Sequence, residues 1–176
     1  MSQSKIFIDI GNSAIKWRTS DSKVCSEKVS DFVSNTLPQA VSAWGSAVAN
    51  LNIIEDIKTL FKEFHLVQSQ KKFNNLVIAY DDPSRLGSDR FCAMLGSTNH
   101  FPQRPILLID IGSAMTFDII DGTGFHQGGL IMPGLASLRM SFTKFKTNDL
   151  SVLDNGLASD TAVSYTHLTL PTILLV

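Results

Sequence analysis

The tetrapeptide Ile8-Asp9-Ile10-Gly11 recurs as Ile109-Asp110-Ile111-Gly112, 101 residues further along. In each copy an apolar run leads into the aspartate: Ile6-Phe7-Ile8 in the first, Ile106-Leu107-Leu108-Ile109 in the second. A small polar residue follows each glycine closely, Asn12-Ser13 and then Ser113, and a second alternating run comes after it, Ala14-Ile15-Lys16-Trp17 and Met115-Thr116-Phe117-Asp118-Ile119-Ile120. Alternation broken by a glycine turn reads as strand, tight turn, strand. Two copies with the same context indicate a duplicated unit, and whatever the chain folds into must accommodate that hairpin twice.

The rest of the chain fits strands alternating with helices. Lys23 to Val29 reads as a third strand and Ala40 to Val48 as a buried one. Residues 52–64 place Ile53, Ile54, Ile57, Leu60, Phe61 and Phe64 on one helical face, with Glu55, Lys58, Lys62 and Glu63 mostly on the other. Leu76 to Ala79 reads as a short strand, 81–87 as a loop, and a helix is expected from near Ser88 to before Pro102. Gly128-Gly129-Leu130-Ile131-Met132-Pro133-Gly134 is expected to break the chain, with a helix from about Leu135. The fold class is therefore α/β.

Composition removes several classes of function. Hydrophobic residues at 44% and charged residues at 18% give material for a core, so wholesale disorder is not expected. Lys plus Arg is 15 against 16 for Asp plus Glu, a net charge of -1, so no nucleic-acid partner is expected. Cys25 and Cys92 form no CxxC pair, and His65, His100, His126 and His167 show no zinc-ligand spacing. No apolar run is long enough to span a membrane, and Asp9 interrupts the first one. A soluble, cytoplasmic protein is expected.

The chemistry has few places to reside. A glycine after a strand lets backbone amides approach a phosphate, and an aspartate at the strand end can orient a hydrated cation. Two such turns facing each other would grip a triphosphate from both sides; a single one would more often be a plain turn with an Asx cap. No GxxxxGK[ST] and no GxGxxG after a strand is present. Lys16 reads as a phosphate contact or as a solvated strand lysine. Gly87-Ser88-Asp89-Arg90 places an acid at a helix N-terminus, where the dipole favours a carboxylate that could serve as a base, and Arg90 could fork onto a substrate carboxylate. The plainer reading is a cap with a surface ion pair. The glycines at 128–134 read as close approach to a ligand or as structural turns.

Taken in order, four segments resemble one family. Asp9-Ile10-Gly11-Asn12-Ser13-Ala14-Ile15-Lys16 is similar to its first phosphate motif, and Tyr80 through Gly87-Ser88-Asp89-Arg90 to its substrate motif. Asp110-Ile111-Gly112-Ser113-Ala114-Met115-Thr116 is similar to its second phosphate motif, and Gly128 to Gly134 to the glycine motif that follows. The family is the type III pantothenate kinases, within the acetate and sugar kinase, Hsp70 and actin superfamily, whose fold is a duplicated ribonuclease H-like domain. The resemblance covers residues 5 to about 162 and implies ATP-dependent phosphorylation of pantothenate to 4'-phosphopantothenate, the first step of coenzyme A biosynthesis. It implies Asp89 as catalytic base. It implies ATP contacts from Asp9, Ile10, Gly11, Asn12, Ser13, Ala14, Ile15, Lys16 and Ser113, the last standing where the family often has threonine. Tyr80, Gly87, Ser88, Asp89, Arg90 and Thr161 would contact pantothenate, although Asp160 replaces the asparagine of the motif around Thr161. Asp9 would lie near Mg²⁺, Asp110 would hold a monovalent cation, K⁺ or NH4⁺, and the protein would be a homodimer.

The implied organisation is a first ribonuclease H-like half over 1–104, the start of a second over 105–162, and a tail over 163–176. Val163-Ser164-Tyr165-Thr166-His167-Leu168 is also what one frame of a common transposon-derived sequencing adapter encodes, so the tail reads as non-native and the second half as incomplete. A non-catalytic regulator or ligand-binding protein on the same fold is the alternative function.

Overall fold

The computed structural model describes residues 5–20, 22–49 and 51–142. Its first sheet has five strands in the order β3-β2-β1-β4-β5: β1 (Lys5–Ile10), β2 (Ala14–Thr19), β3 (Cys25–Lys28), β4 (Ser42–Ala47) and β5 (Glu63–Leu66). The first three form an antiparallel meander, while β4 and β5 run parallel to β1. Alternation fixes the faces. Ile6, Ile8 and Ile10 with Ile15 and Trp17 point into a core closed by Ile54, Ile57 and Phe61. The other face of the hairpin carries Asp9 and Lys16, directly opposite each other in the register.

Helix α1 (Leu51–Lys58) is shorter than the apolar spacing predicts. The Thr59 and Leu60 amides bond back three residues, to Asp56 and Ile57, and the Thr59 hydroxyl takes the Asp56 carbonyl as well, which closes the helix. Ile54, Ile57 and Phe61 are buried as expected, but Leu60 is 45% exposed, and Phe64 belongs to β5. The chain needs those residues to turn back and add a parallel strand beside β4.

A short hairpin, β6 (Lys72–Phe73) and β7 (Leu76–Val77), leads through a 3-10 turn at Pro83–Arg85 into α2 (Ser88–His100). Phe91 and Met94 of α2 pack with Leu76, Ile78, Leu86 and Ile120 in a second core. Then β8 (Ile106–Ile111), β9 (Ala114–Ile120) and β10 (His126–Pro133) form a sheet in the order β10-β9-β8, followed by α3 (Leu135–Phe142). This antiparallel meander repeats β3-β2-β1, and Asp110 faces Thr116 as Asp9 faces Lys16. The duplication read from the sequence is thus present as structure.

The expectation that 128–134 breaks the chain is corrected: the segment continues a strand, with an irregularity between His126 and Gly128. Its glycines answer to close approach by the protein itself. A Cβ on Gly129 would run into the Asp118 carboxylate and the Arg90 guanidinium, and one on Gly134 into the carbonyls of Gly112 and Ser113. Thr161 and the tail at 163–176 lie outside the described residues.

Truncating Ile57 to alanine should cost about 2–5 kcal/mol of unfolding free energy, as for other buried aliphatics. Leu60→Ala should stay within about 0.5 kcal/mol, as at exposed positions. Denaturant midpoints of the two variants check the helix end, and equal losses would contradict it.

Candidate active site

The two glycine turns meet. Ser13 Oγ and Ser113 Oγ lie 2.6 Å apart, one from each hairpin. Each turn is closed from within: the Gly11 amide donates to the Ala14 carbonyl at 3.1 Å and the Gly112 amide to the Ala114 carbonyl at 2.9 Å. Gly134, whose amide bonds the Ser113 carbonyl at 3.1 Å, buttresses the second turn from below and starts α3.

Behind the first turn, Asp9 and Ser46 sit side by side near the C-terminal ends of the parallel strands β1 and β4, and Ser46 Oγ donates to Asp9 Oδ1 at 2.7 Å. Such strand ends are where α/β sheets place their ligands. Lys16 and the backbone around it share that side. The Ile10 and Ile15 side chains are fully buried, so a nucleotide could reach those residues only through their main chain, whereas Asn12 and Ser13 are exposed.

Asp89 stands in the first turn of α2, where the helix dipole favours a carboxylate. Ser88 Oγ bonds both backbone groups of Ala47, at 3.1 and 3.2 Å, and so fastens the helix start to the end of β4. Asp89 Oδ1 accepts the Arg90 amide at 2.7 Å. Burial raises the Asp89 carboxyl above its usual range; the Arg90 amide draws it back, and the Asp9 and Asp110 carboxylates push it up again. Asp89 is therefore close enough to feel both of the other aspartates singled out in the sequence. Asp110 itself is exposed at the end of β8.

Among the described residues no three histidine, cysteine, aspartate or glutamate side chains converge as a self-sufficient metal cage. A Mg²⁺ held jointly with phosphates needs only one or two carboxylates, which Asp9 and its neighbours can supply. A cavity of about 300 Å³ opens beside Asp9, Lys16, Ser46 and Cys92, with Phe7 and Trp44 in its wall. A larger one, about 390 Å³, lies between the end of α2 and the turn at 121–124, away from these groups.

Arg90 does not present an open fork. Its guanidinium is buried, with Nε donating to Asp118 Oδ2 at 2.9 Å and Nη2 to Oδ1 at 2.5 Å. Burial alone would depress its pKa, and Asp118 more than reverses that. Its Nη1 faces the Tyr80 hydroxyl at 3.4 Å. Asp118, His126 and Ser46 were not singled out from the sequence. Asp118 had a signal, an acid on the inward side of the alternating run from Met115 to Ile120; Ser46, in a small-residue strand, had none.

The Cys92 thiol, close to Asp9 and Asp89, is pushed up to about 11, first by burial and then by those carboxylates. At pH 8 it is almost wholly protonated, so a maleimide should label exposed Cys25 and leave Cys92 slow by about tenfold or more. Mass-spectrometric mapping of the label with time checks this, and equal rates would contradict the described environment.

No helix among the described residues is long and apolar enough to cross a membrane. A family model described as type III pantothenate kinase matches residues 5–164. The type III pantothenate kinase of Colwellia psychrerythraea is 31% identical over 154 residues, covering 81% of this chain and 62% of that protein. That of Dichelobacter nodosus is 31% identical over 146 residues, covering 74% of this chain and 59% of that protein. The chain thus spans about three-fifths of the length of these curated relatives. A solved Aquifex aeolicus Ppx/GppA phosphatase overlaps it with a TM-score of 0.43 at 12% identity, over 80% of this chain and 55% of that one, a likeness too low to bear on the fold. Relatedness at this level, extending across both hairpins and the helix between them, places the chain in the type III pantothenate kinase family, with its duplicated ribonuclease H-like α/β fold.

Proposed function

We propose that this chain is the catalytic part of an enzyme that transfers the terminal phosphoryl group of ATP to the primary hydroxyl of pantothenate, making 4'-phosphopantothenate for coenzyme A biosynthesis. The observation that carries the reading is the meeting of the two turns, Ser13 against Ser113, beside an Asp89 that feels the charges of Asp9 and Asp110. A phosphate between the turns would take the donors that the two hydroxyls now spend on each other.

Phosphoryl transfer asks for in-line positioning and for neutralisation of the charge spread over the transferred group. Gly11, Asn12, Ser13, Ser113 and Lys16 would supply donors and one positive charge to the phosphates, with Ile10, Ala14 and Ile15 shaping the turn that presents them. Mg²⁺, when bound with ATP near Asp9, supplies charge neutralisation. In this reading Asp110 holds K⁺ or NH4⁺. Asp89 accepts the hydrogen bond of the acceptor hydroxyl and takes its proton as the bond to phosphorus forms. A carboxyl raised by burial is a better base than an ordinary one near 3.9, though still weak for an alcohol, so the proton moves late. Tyr80, the Gly87–Arg90 segment and Thr161 would bind pantothenate. The five-stranded and three-stranded sheets then correspond to two halves meeting near 104/105. We place the working protein in the cytoplasm as a homodimer.

The test is Asp89→Asn. Turnover should fall by about 10²–10⁴, the range for loss of a positioned acid or base, while ATP binding measured by calorimetry stays within about twofold. Stability should move the other way. A folded-state pKa raised above 3.8 favours the fold only while the group is protonated, and this contribution is lost as pH rises through the raised value. At pH 7 the ionised group is therefore a cost that asparagine removes, and the variant should melt no lower than the parent. Undiminished turnover in the variant would take Asp89 out of the chemistry.

A further inference from the structure

A polar cluster joining α2 to the second sheet is not used by the phosphate chemistry. Asp118 on β9 and His126 at the start of β10 are fully buried, and Arg90 is 6% exposed. His126 Nε2 lies 2.9 Å from Asp118 Oδ1, and its Nδ1 accepts the Ala79 amide at 3.4 Å. With Nδ1 turned to the Ala79 amide, Nε2 is the nitrogen that faces Asp118. The cluster pairs one guanidinium with one carboxylate, with histidine orienting the carboxylate. The Tyr80 ring stacks over His126, with centroids 6.1 Å apart and planes at 16°.

The arrangement decides where the Arg90 charge goes. Arg90 follows Asp89 in the chain, and an unrestrained guanidinium could close on that carboxylate and quench it. Asp118 takes the Nε/Nη2 edge instead, and among the influences on Asp89 the Arg90 charge is the least. What remains is Nη1, paired with the hydroxyl of half-buried Tyr80. Together these form a cationic, hydrogen-bonding pair carried by the residue that follows Asp89. A buried ion pair is a poor device for stability alone, since apolar residues of similar volume do as well.

Building on the kinase reading, we propose that Asp118, steadied by His126, is a positioning residue: it turns Arg90 so that Nη1 and the Tyr80 hydroxyl read the carboxylate of the acceptor, and so makes the enzyme select an acidic alcohol over an uncharged one. Gly129 belongs to the same device, because only a residue without a Cβ leaves room for the Arg90–Asp118 contact.

The test uses a form extended to the length of the curated relatives, with Asp118→Asn, and compares pantothenate with its alcohol analogue, in which CH2OH replaces the carboxylate. The variant should raise KM for pantothenate by about tenfold or more and lose most of the parent's preference for the acid, while KM for ATP stays within about twofold. A merely structural role would lower the melting temperature and reduce turnover on both acceptors alike, and that result would overturn the proposal, as would an unchanged preference. Should Asp118→Asn not fold, His126→Gln, which keeps a donor toward Asp118 but loses the ring, should show the same split at a smaller size; no split there also overturns it. A parent protein that phosphorylates neither acceptor overturns the kinase reading and this proposal with it, whereas an active parent with an indifferent variant overturns this proposal alone.

Discussion

Arg90 commits the Nε/Nη2 edge of its guanidinium to Asp118 on the second sheet, and the position of the helix that carries Asp89 follows from that commitment. Two residues earlier, the Ser88 hydroxyl is tied to both backbone groups of Ala47 at the end of β4. Helix α2 is thus fastened to the first sheet by one side chain and to the second by another, with Asp89 between the fastenings. Loosening either would move the carboxylate relative to both turns. Taking away one partner of the buried pair would also strand a charge, at a cost of about 3–5 kcal/mol.

The repeated hairpin gives this framework its economy. Each copy ends an apolar strand in an aspartate and presents a hydroxyl at the following turn, and the copies are set so that the hydroxyls touch at 2.6 Å. Their aspartates, Asp9 and Asp110, add to the burial that makes Asp89 costly to ionise. An arrangement of that kind is poorly made for stability and well made for a cation and a polyphosphate that would relieve the repulsion.

Much of this was legible in the sequence because alternation and turn chemistry are local. The strands on either side of Gly11 and Gly112, the start of α2 at Ser88 and the helix after Gly134 all follow from nearest neighbours. The end of α1 did not, because Leu60 and Phe64 continue the apolar spacing while the need for a parallel strand beside β4 overrides it. The glycine-rich segment was misread as a break because its glycines serve partners distant in the chain: Gly129 clears Arg90 and Asp118, and Gly134 clears Gly112 and Ser113. The aspartates at 9, 89 and 110 were visible as motif residues. The Arg90 partner was not, since nothing near position 90 announces an acid at 118.

The central claim, that the two turns and Asp89 form one phosphoryl-transfer site, is tested most directly by looking for the product. Pantothenate, ATP and Mg²⁺ are incubated with a form extended to the length of the curated relatives, in K⁺ or in Na⁺, and the acceptor is followed by mass spectrometry. The account predicts phosphorylated pantothenate that forms in K⁺ and far less in Na⁺. A folded protein that binds ATP and yields no phosphorylated acceptor in either salt would contradict it and leave a ligand-binding role on the same fold.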